Sequence, residues 1–356
     1  MPDKTLGERE SGKRVLFIGN FIKASPIKSP YEDLLSRLSS RGWRVSRASV
    51  FKTRWIRALS MACAIVFSRG AYDKAVILVY SGRAFYWAEA AGFLLRVLRK
   101  PYVAALHGGD LPAFAGHFEK KFKRFLIQAE RVICPSYHLR DSLSCPGIEI
   151  EYLPNGIDLK KFFFHSRRSP RPRLCWVRAF HKIYDPQTAL TTLALILQDF
   201  PEAVLTMAGP DTGDGTFRKV LQTIRELGLE KAVRLCGGIP NAKLPELFQE
   251  HDIFLNTTTL ESFGVSVMEA AASGLCIVSS NAGEIPRIWE AGKNALLFNP
   301  GDPKGAAEAV KQLLCQPELA VRFSREARVN AERFGWDSIL PEWEKILLTG
   351  KEGMER

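Results

Sequence analysis

Cysteine and histidine are sparse here: seven of one and six of the other in 356 residues. The cysteines, at 63, 134, 145, 175, 236, 276 and 315, include no C-x-x-C pair, and their number is odd. That excludes a zinc ribbon and a disulfide-stapled secreted domain, and implies a reducing compartment. Long apolar runs are missing too. No stretch reaches the roughly 18 residues a membrane-crossing helix needs. Residues 1–13 are polar and lack the apolar core of a secretory leader. A cytoplasmic protein is the expectation, with attachment to a membrane surface left open. Acid is the scarcer charge: 38 acidic against 50 basic residues give a net charge of +12. An anionic partner follows, whether nucleic acid, acidic lipid or a phosphorylated substrate. No helix-turn-helix, zinc-finger or RNA-binding signature accompanies the charge, so nucleic acid is not expected. Repeats and low-complexity segments are absent.

What is present is an ordinary soluble composition, 46% apolar and 25% charged, at a length that allows about two domains. Short apolar runs alternate with helical-period segments. Val15–Gly19, Trp43–Val45, Ala75–Tyr80, Tyr102–Leu106 and Arg131–Cys134 read as strands. Helices are expected over 30–41 and about 84–98. The pattern restarts with strands at Leu174–Val177, Ala203–Gly209, Val233–Cys236, Asp252–Asn256 and Cys276–Ser279. Helices near 186–199, 216–227, 243–250 and 264–273 separate them. Continuous apolar strands between helices indicate parallel sheets covered on both faces. Residues 160–173 are basic, proline-bearing and without period, which reads as an interdomain linker. The expected architecture is α/β: two Rossmann-like, doubly wound sheets facing across a cleft, with ligands beyond the carboxyl ends of the strands. The first domain spans residues 1–165 and the second 172–335. A last amphipathic helix, about 336–350, is expected to pack back.

The most informative stretch is Leu260–Gly274. It places Glu261 before a helix start, Gly264 at the start and Glu269 inside. A helix N-terminus offers unpaired N–H groups and partial positive charge, which suits phosphate. Carboxylates on either side suit the hydroxyls of a sugar and a ribose. A plainer reading also exists: Ser266-x-x-Glu269 fits a capping box, in which the glutamate only satisfies a backbone N–H. Asp211–Gly215 has neither the length nor the closing glutamate of a calcium loop and reads as a surface turn.

The segment 261–269 resembles the Glu-x7-Glu motif of retaining glycosyltransferases of family 4, which have the GT-B fold. The similarity continues through Ser279–Pro286 and Asn294–Pro303, and more weakly across most of residues 14–345. The resemblance implies a nucleoside-diphosphate sugar as donor and no metal or other cofactor. It implies that Glu261 contacts the donor sugar and Glu269 the ribose. The N–H groups of Phe263, Gly264 and Val265 would hold sugar or phosphate oxygens. Arg178 and Lys182 would stabilise the leaving diphosphate, although Ile183 stands where the family has a glycine. His107, in His107-Gly108-Gly109-Asp110, would approach the transferred sugar. Asp110 is a weaker candidate for the acceptor, as are Lys28 and Ser29, in a loop that lacks the family's paired glycine. Glu284 is a second departure, at a position commonly glycine.

Cations with apolar neighbours recur in the first half, at Arg54–Arg57, Arg83–Lys100 and Phe118–Phe125. Such segments suit an anionic membrane surface, or are solvated helix faces with buried stems. The expected function is transfer of a sugar to a hydroxyl of a glycan or lipid-linked acceptor, in cell-surface polysaccharide or glycolipid synthesis. Alternatives are a nucleotide-sugar epimerase of the same fold and a non-catalytic binding module.

Overall fold

The computed structural model describes residues 13–19, 21, 30–48, 54–143 and 146–350. In the first half the chain runs β1 (Arg14–Ile18), α1 (Pro30–Ser40), β2 (Arg44–Ala48), α2 (Arg54–Phe67), β3 (Lys74–Val79) and α3 (Arg83–Val97). It continues with β4 (Tyr102–Leu106), α4 (Leu111–His117), α5 (Glu119–Ile127), β5 (Arg131–Cys134), α6 (Tyr137–Ser142) and β6 (Ile150–Tyr152). These strands form one parallel sheet in the order β2-β1-β3-β4-β5-β6. Its central strands are buried at every position, as a sheet covered on both faces requires. One face packs on α2, α3 and α5 through Ile65, Phe85, Leu95 and Phe122. The other packs on α1 through Leu34, Leu35 and Leu38.

The second half begins with β7 (Arg173–Val177), α7 (Pro186–Ile196), β8 (Val204–Ala208), α8 (Thr216–Glu226), β9 (Val233–Gly237) and α9 (Leu244–Glu250). There follow β10 (Ile253–Asn256), α10 (Val265–Ala272), β11 (Cys276–Ser280), α11 (Ile285–Ile288) and β12 (Leu296–Phe298). Helices α12 (Pro303–Cys315), α13 (Pro317–Glu332) and α14 (Trp336–Leu348) complete the described elements. The second sheet is also parallel, ordered β12-β11-β10-β7-β8-β9. The edge strands β6 and β12 escaped the sequence reading because each is three residues long, too short to show a period.

Helix α14 leaves the second domain and lies on the first sheet. Trp336, Ile339, Leu340, Trp343, Ile346 and Leu347 are buried with Val15, Phe17 and Leu34. Their spacing makes one apolar stripe. At about 1.5–3 kcal/mol per buried large side chain, six anchors hold the helix firmly. The two crossings between domains run side by side: Ile157 N–H donates to Phe334 O at 2.9 Å and Trp336 N–H to Ile157 O at 3.2 Å. Gly156 makes this approach possible, since a Cβ there would lie 2.5 Å from the Trp336 ring.

Part of the interdomain segment 160–173 packs on the second domain. Arg167 is 2% exposed. It pairs with Asp252 at 3.2 Å and donates to Phe248 O at 3.0 Å. Arg171 meets the same carboxylate at 3.0 Å. Two of the segment's basic residues thus meet one buried acid of the second domain, which docks this stretch of chain there. The six described cysteines are free.

Candidate active site

Strands β7 and β10 lie side by side at the middle of the second sheet, and the chain departs from them in opposite directions. Such a switch point opens a crevice beyond the strand ends. Arg178 follows β7, and the loop Thr257–Gly264 follows β10. There the Arg178 guanidinium forms an ion pair with the Glu261 carboxylate, both almost buried. Its Nε also points at Asn256 Oδ1 at 3.4 Å, and its charge lies over the Tyr184 ring at 5.4 Å. Burial pushes the Glu269 carboxyl up to about 7, while Arg178 and Lys161 pull it the other way. Arg178 thus acts on both glutamates. An internal ion pair of this kind can be exchanged for a ligand's phosphate and hydroxyls.

Helix α10 begins at Val265, one residue after Gly264 at φ 90°. No side chain caps it, and among the described residues none accepts from the N–H of Gly264 or Val265. The capping box is not formed: Ser266 lies inside the helix, and among the described residues its buried Oγ has no partner. Uncapped N–H groups and an orphan hydroxyl at a helix start suit an anion. Phe263 differs from its neighbours. Its ring is buried against Phe334 at 5.5 Å, and its N–H leans on Glu261 Oε1 at 3.5 Å.

Three consecutive threonines fasten this loop to the cation loop. The Thr257 hydroxyl donates to Tyr184 O at 2.9 Å and Asp185 O at 2.8 Å. That of Thr258 donates to Ile183 O at 3.1 Å, and Thr259 N–H to the same oxygen at 2.8 Å. Lys182 starts a 3₁₀ turn with its side chain exposed. Among the described residues it makes no ion pair with Glu261 or Glu269. Its N–H donates to Asp214 at 3.1 Å. Asp214 also accepts from Thr216 N–H at 2.9 Å, and that bond holds its carboxyl well below the usual range. The turn 211–215 therefore braces the cation loop. No group of three metal-ligating side chains occurs among the described residues.

Across the crevice, His107 follows β4, and its N–H donates to Val79 O at 2.9 Å. Burial lowers its pKa to about 4, so the ring is neutral. Its Nε2 is hydrogen-bonded to the Tyr31 hydroxyl. The two loops meet: a Cβ on Gly109 would lie 3.0 Å from Leu260 Cδ2. Asp110 is exposed at the start of α4 and caps nothing. Lys28 and Ser29 lie outside the described residues. Glu284 is fully buried. It accepts from Tyr137 N–H at 3.0 Å and His138 N–H at 2.7 Å, at the start of α6 in the other domain. Arg287 and Asp141 add a second tie at 2.8 Å. Sequence reasoning missed Tyr31, Asn256 and the threonines, and read Ser266 only as a cap of the helix start. Only the run Thr257-Thr258-Thr259 left a visible signal.

Two Rossmann-like sheets facing across a cleft define the GT-B class of fold. A sucrose-phosphate synthase from Thermosynechococcus elongatus shares it, with a TM-score of 0.77 and 16% identity over 94% of this chain and 98% of that one. HepE from Anabaena, solved with UDP and glucose, gives 0.74 at 18% identity, covering 94% and 99%. The family described as Glycosyl transferases group 1 matches residues 159–330, and Glycosyltransferase Family 4 matches residues 37–161. The chain belongs to the family 4, group 1 glycosyltransferases. Relatives include a D-inositol 3-phosphate glycosyltransferase of Corynebacterium urealyticum, 28% identical over 57% of this chain. A glycogen synthase of Mycobacterium tuberculosis is 26% identical over 71%. The matches span 50% and 64% of those relatives' lengths.

Proposed function

We propose that this protein is a retaining, metal-independent glycosyltransferase that moves a sugar from a nucleoside-diphosphate sugar to a hydroxyl of a glycan or lipid-linked acceptor. One observation carries the reading. Arg178 pairs with Glu261 and its charge also pulls on Glu269, where the loop after β10 leads into the uncapped start of α10. In this reading the diphosphate takes the N–H groups of Gly264 and Val265, and Glu269 accepts from the ribose. Glu261 leaves Arg178 to grip the sugar. Arg178, with Lys182 swinging in, stabilises the charge that builds on the departing diphosphate. Neutral His107 faces the sugar from the first domain. The acceptor oxygen attacks on the face the diphosphate leaves, so configuration is retained; family membership supports this step.

The acceptor is met at an anionic membrane surface, in polysaccharide or glycolipid synthesis. Leu59, Phe67, Phe93, Val97 and Ile127 are exposed on α2, α3 and α5, Phe67 to 83%. They share one side of the first sheet with Arg96, Lys120 and Arg124, a composition suited to the headgroup boundary. No described helix is long and apolar enough to cross a membrane.

A thermal-shift series over nucleoside diphosphates and their sugars tests the donor. A ligand at a hundred times its Kd adds about 2.7 kcal/mol. Mass analysis with glycan and lipid acceptors then reads transfer. Absence of any shift across the common bases would refute the donor site. Release of a free epimerised sugar without acceptor would favour an epimerase. Sedimentation with phosphatidylglycerol vesicles, compared with phosphatidylcholine vesicles, tests the surface.

A further inference from the structure

We propose that Tyr31 is a positioning residue for His107, and that the returning helix α14 holds it in place. This rests on the reading that His107 faces the transferred sugar. Tyr31 sits in the first turn of α1 and is 5% exposed, in the cluster that α14 shares with the first sheet. Its hydroxyl meets Nε2 of His107. The two rings stand edge to face at 5.1 Å and 87°. Behind it, Trp343 of α14 meets Tyr31 edge-on at 5.9 Å, and Phe17 of β1 lies at 6.3 Å. The Tyr80 ring also packs on the imidazole, at 5.6 Å and tilted by 31°. A run of rings therefore reaches from α14 to His107.

The chemical consequence lies in the two nitrogens of the imidazole. A neutral ring carries one N–H and one acceptor, and the partner of one nitrogen settles what the other presents. With Nε2 committed to Tyr31, Nδ1 is the nitrogen left to meet a sugar hydroxyl. The rings of Tyr31 and Tyr80 fix the plane in which it points. Without the Tyr31 hydroxyl the imidazole can turn over and exchange its nitrogens. The sugar is then held less well for reaction, which lowers kcat more than it changes donor KM. Trp343 acts one step further back, by blocking Tyr31 from swinging away.

The test uses the full chain with ¹⁵N-labelled histidine, the His107 signals being assigned by their loss in His107→Ala. Tyr31→Phe keeps the ring contacts and removes the hydroxyl. The His107 ring shifts should move, kcat should fall about tenfold or more with little change in donor KM, and the melting temperature should stay close to wild type. Trp343→Leu should give a weaker version of the same changes. Unchanged ring shifts in Tyr31→Phe would overturn the hydrogen bond. Moved shifts with unchanged kcat would overturn the positioning role. Full transfer by His107→Ala would instead remove the sugar-facing reading, and the positioning role with it, while the ring shifts still report the bond. Should Tyr31→Phe not fold, 3-fluorotyrosine in place of tyrosine acidifies the hydroxyl with little change of shape. His107 signals that move then support the bond, and signals that stay overturn it.

Discussion

Replacing Gly209 by alanine would place a methyl group 1.6 Å from the carbonyl oxygen of Arg178 and 2.4 Å from its carbon. The obstacle is backbone, so no rotamer change relieves it. The two strands are joined on both sides of the clash: Arg178 N–H donates to Ala208 O at 3.0 Å and Phe180 N–H to Pro210 O at 2.8 Å. To restore an ordinary contact of 3.4 Å, the loop carrying Arg178 has to retreat by well over an ångström. Overpacking of this kind costs about 1–3 kcal/mol. In a domain of this size that lowers the melting temperature by about 2–12 °C. The functional loss is larger, because displacing a charge-stabilising group by about 1 Å costs on the order of a hundredfold in rate. Calorimetry and initial-rate transfer assays on Gly209→Ala measure both quantities. Gly70→Ala is the control, since nothing lies within 4 Å of its added Cβ. If Gly209→Ala melts and transfers like that control, the placement of Arg178 against β8 is wrong.

Arg178→Ala should be far more damaging than Lys182→Ala. It leaves Glu261 buried and unpaired, at about 3–5 kcal/mol, and should cut transfer by at least about a hundredfold, while Lys182→Ala should melt like wild type. Equal melting temperatures for the two would refute the pairing. Glu261→Gln should lower transfer by at least about tenfold, ~1.4 kcal/mol, with the fold intact; unchanged transfer removes Glu261 from the site. Glu269 titrates at about 7 in the folded protein against an ordinary 4.5. The folded state therefore binds the extra proton, and this group's stabilisation is full below about pH 4.5 and lost as pH rises through 7. Melting curves over that range should flatten in Glu269→Gln, and an unchanged slope would contradict the burial. Glu284→Gly should strand the N–H groups of Tyr137 and His138 and cost about 1–3 kcal/mol, read by urea titration.

The buried strands and the helices between them could be read in the chain because their residues repeat at the periods of strand and helix. Tyr102–Leu106 and Arg131–Cys134 have the same bounds in both readings. The helix Arg54–Phe67 reads only through its basic start, Arg54–Arg57, since eleven apolar residues among fourteen blur its stripe. The grouping of Glu261, Gly264 and Glu269 was legible because all three belong to one loop and one helix. Tyr31 was not: 76 positions separate it from His107, and no local pattern records a contact made by closing a sheet.

The sequence by itself determined that this is a two-sheet α/β chain with a carboxylate pair around one helix start, because those features depend on neighbours within a few turns. Only the tertiary structure decided that Arg178 neutralises Glu261, that Glu284 fastens one domain to the other, and that Trp343 of α14 meets Tyr31. Each is a pairing of buried charge or ring across many residues. Which partner a buried group finds is set by the order of strands in the sheets and by the path of the two interdomain crossings.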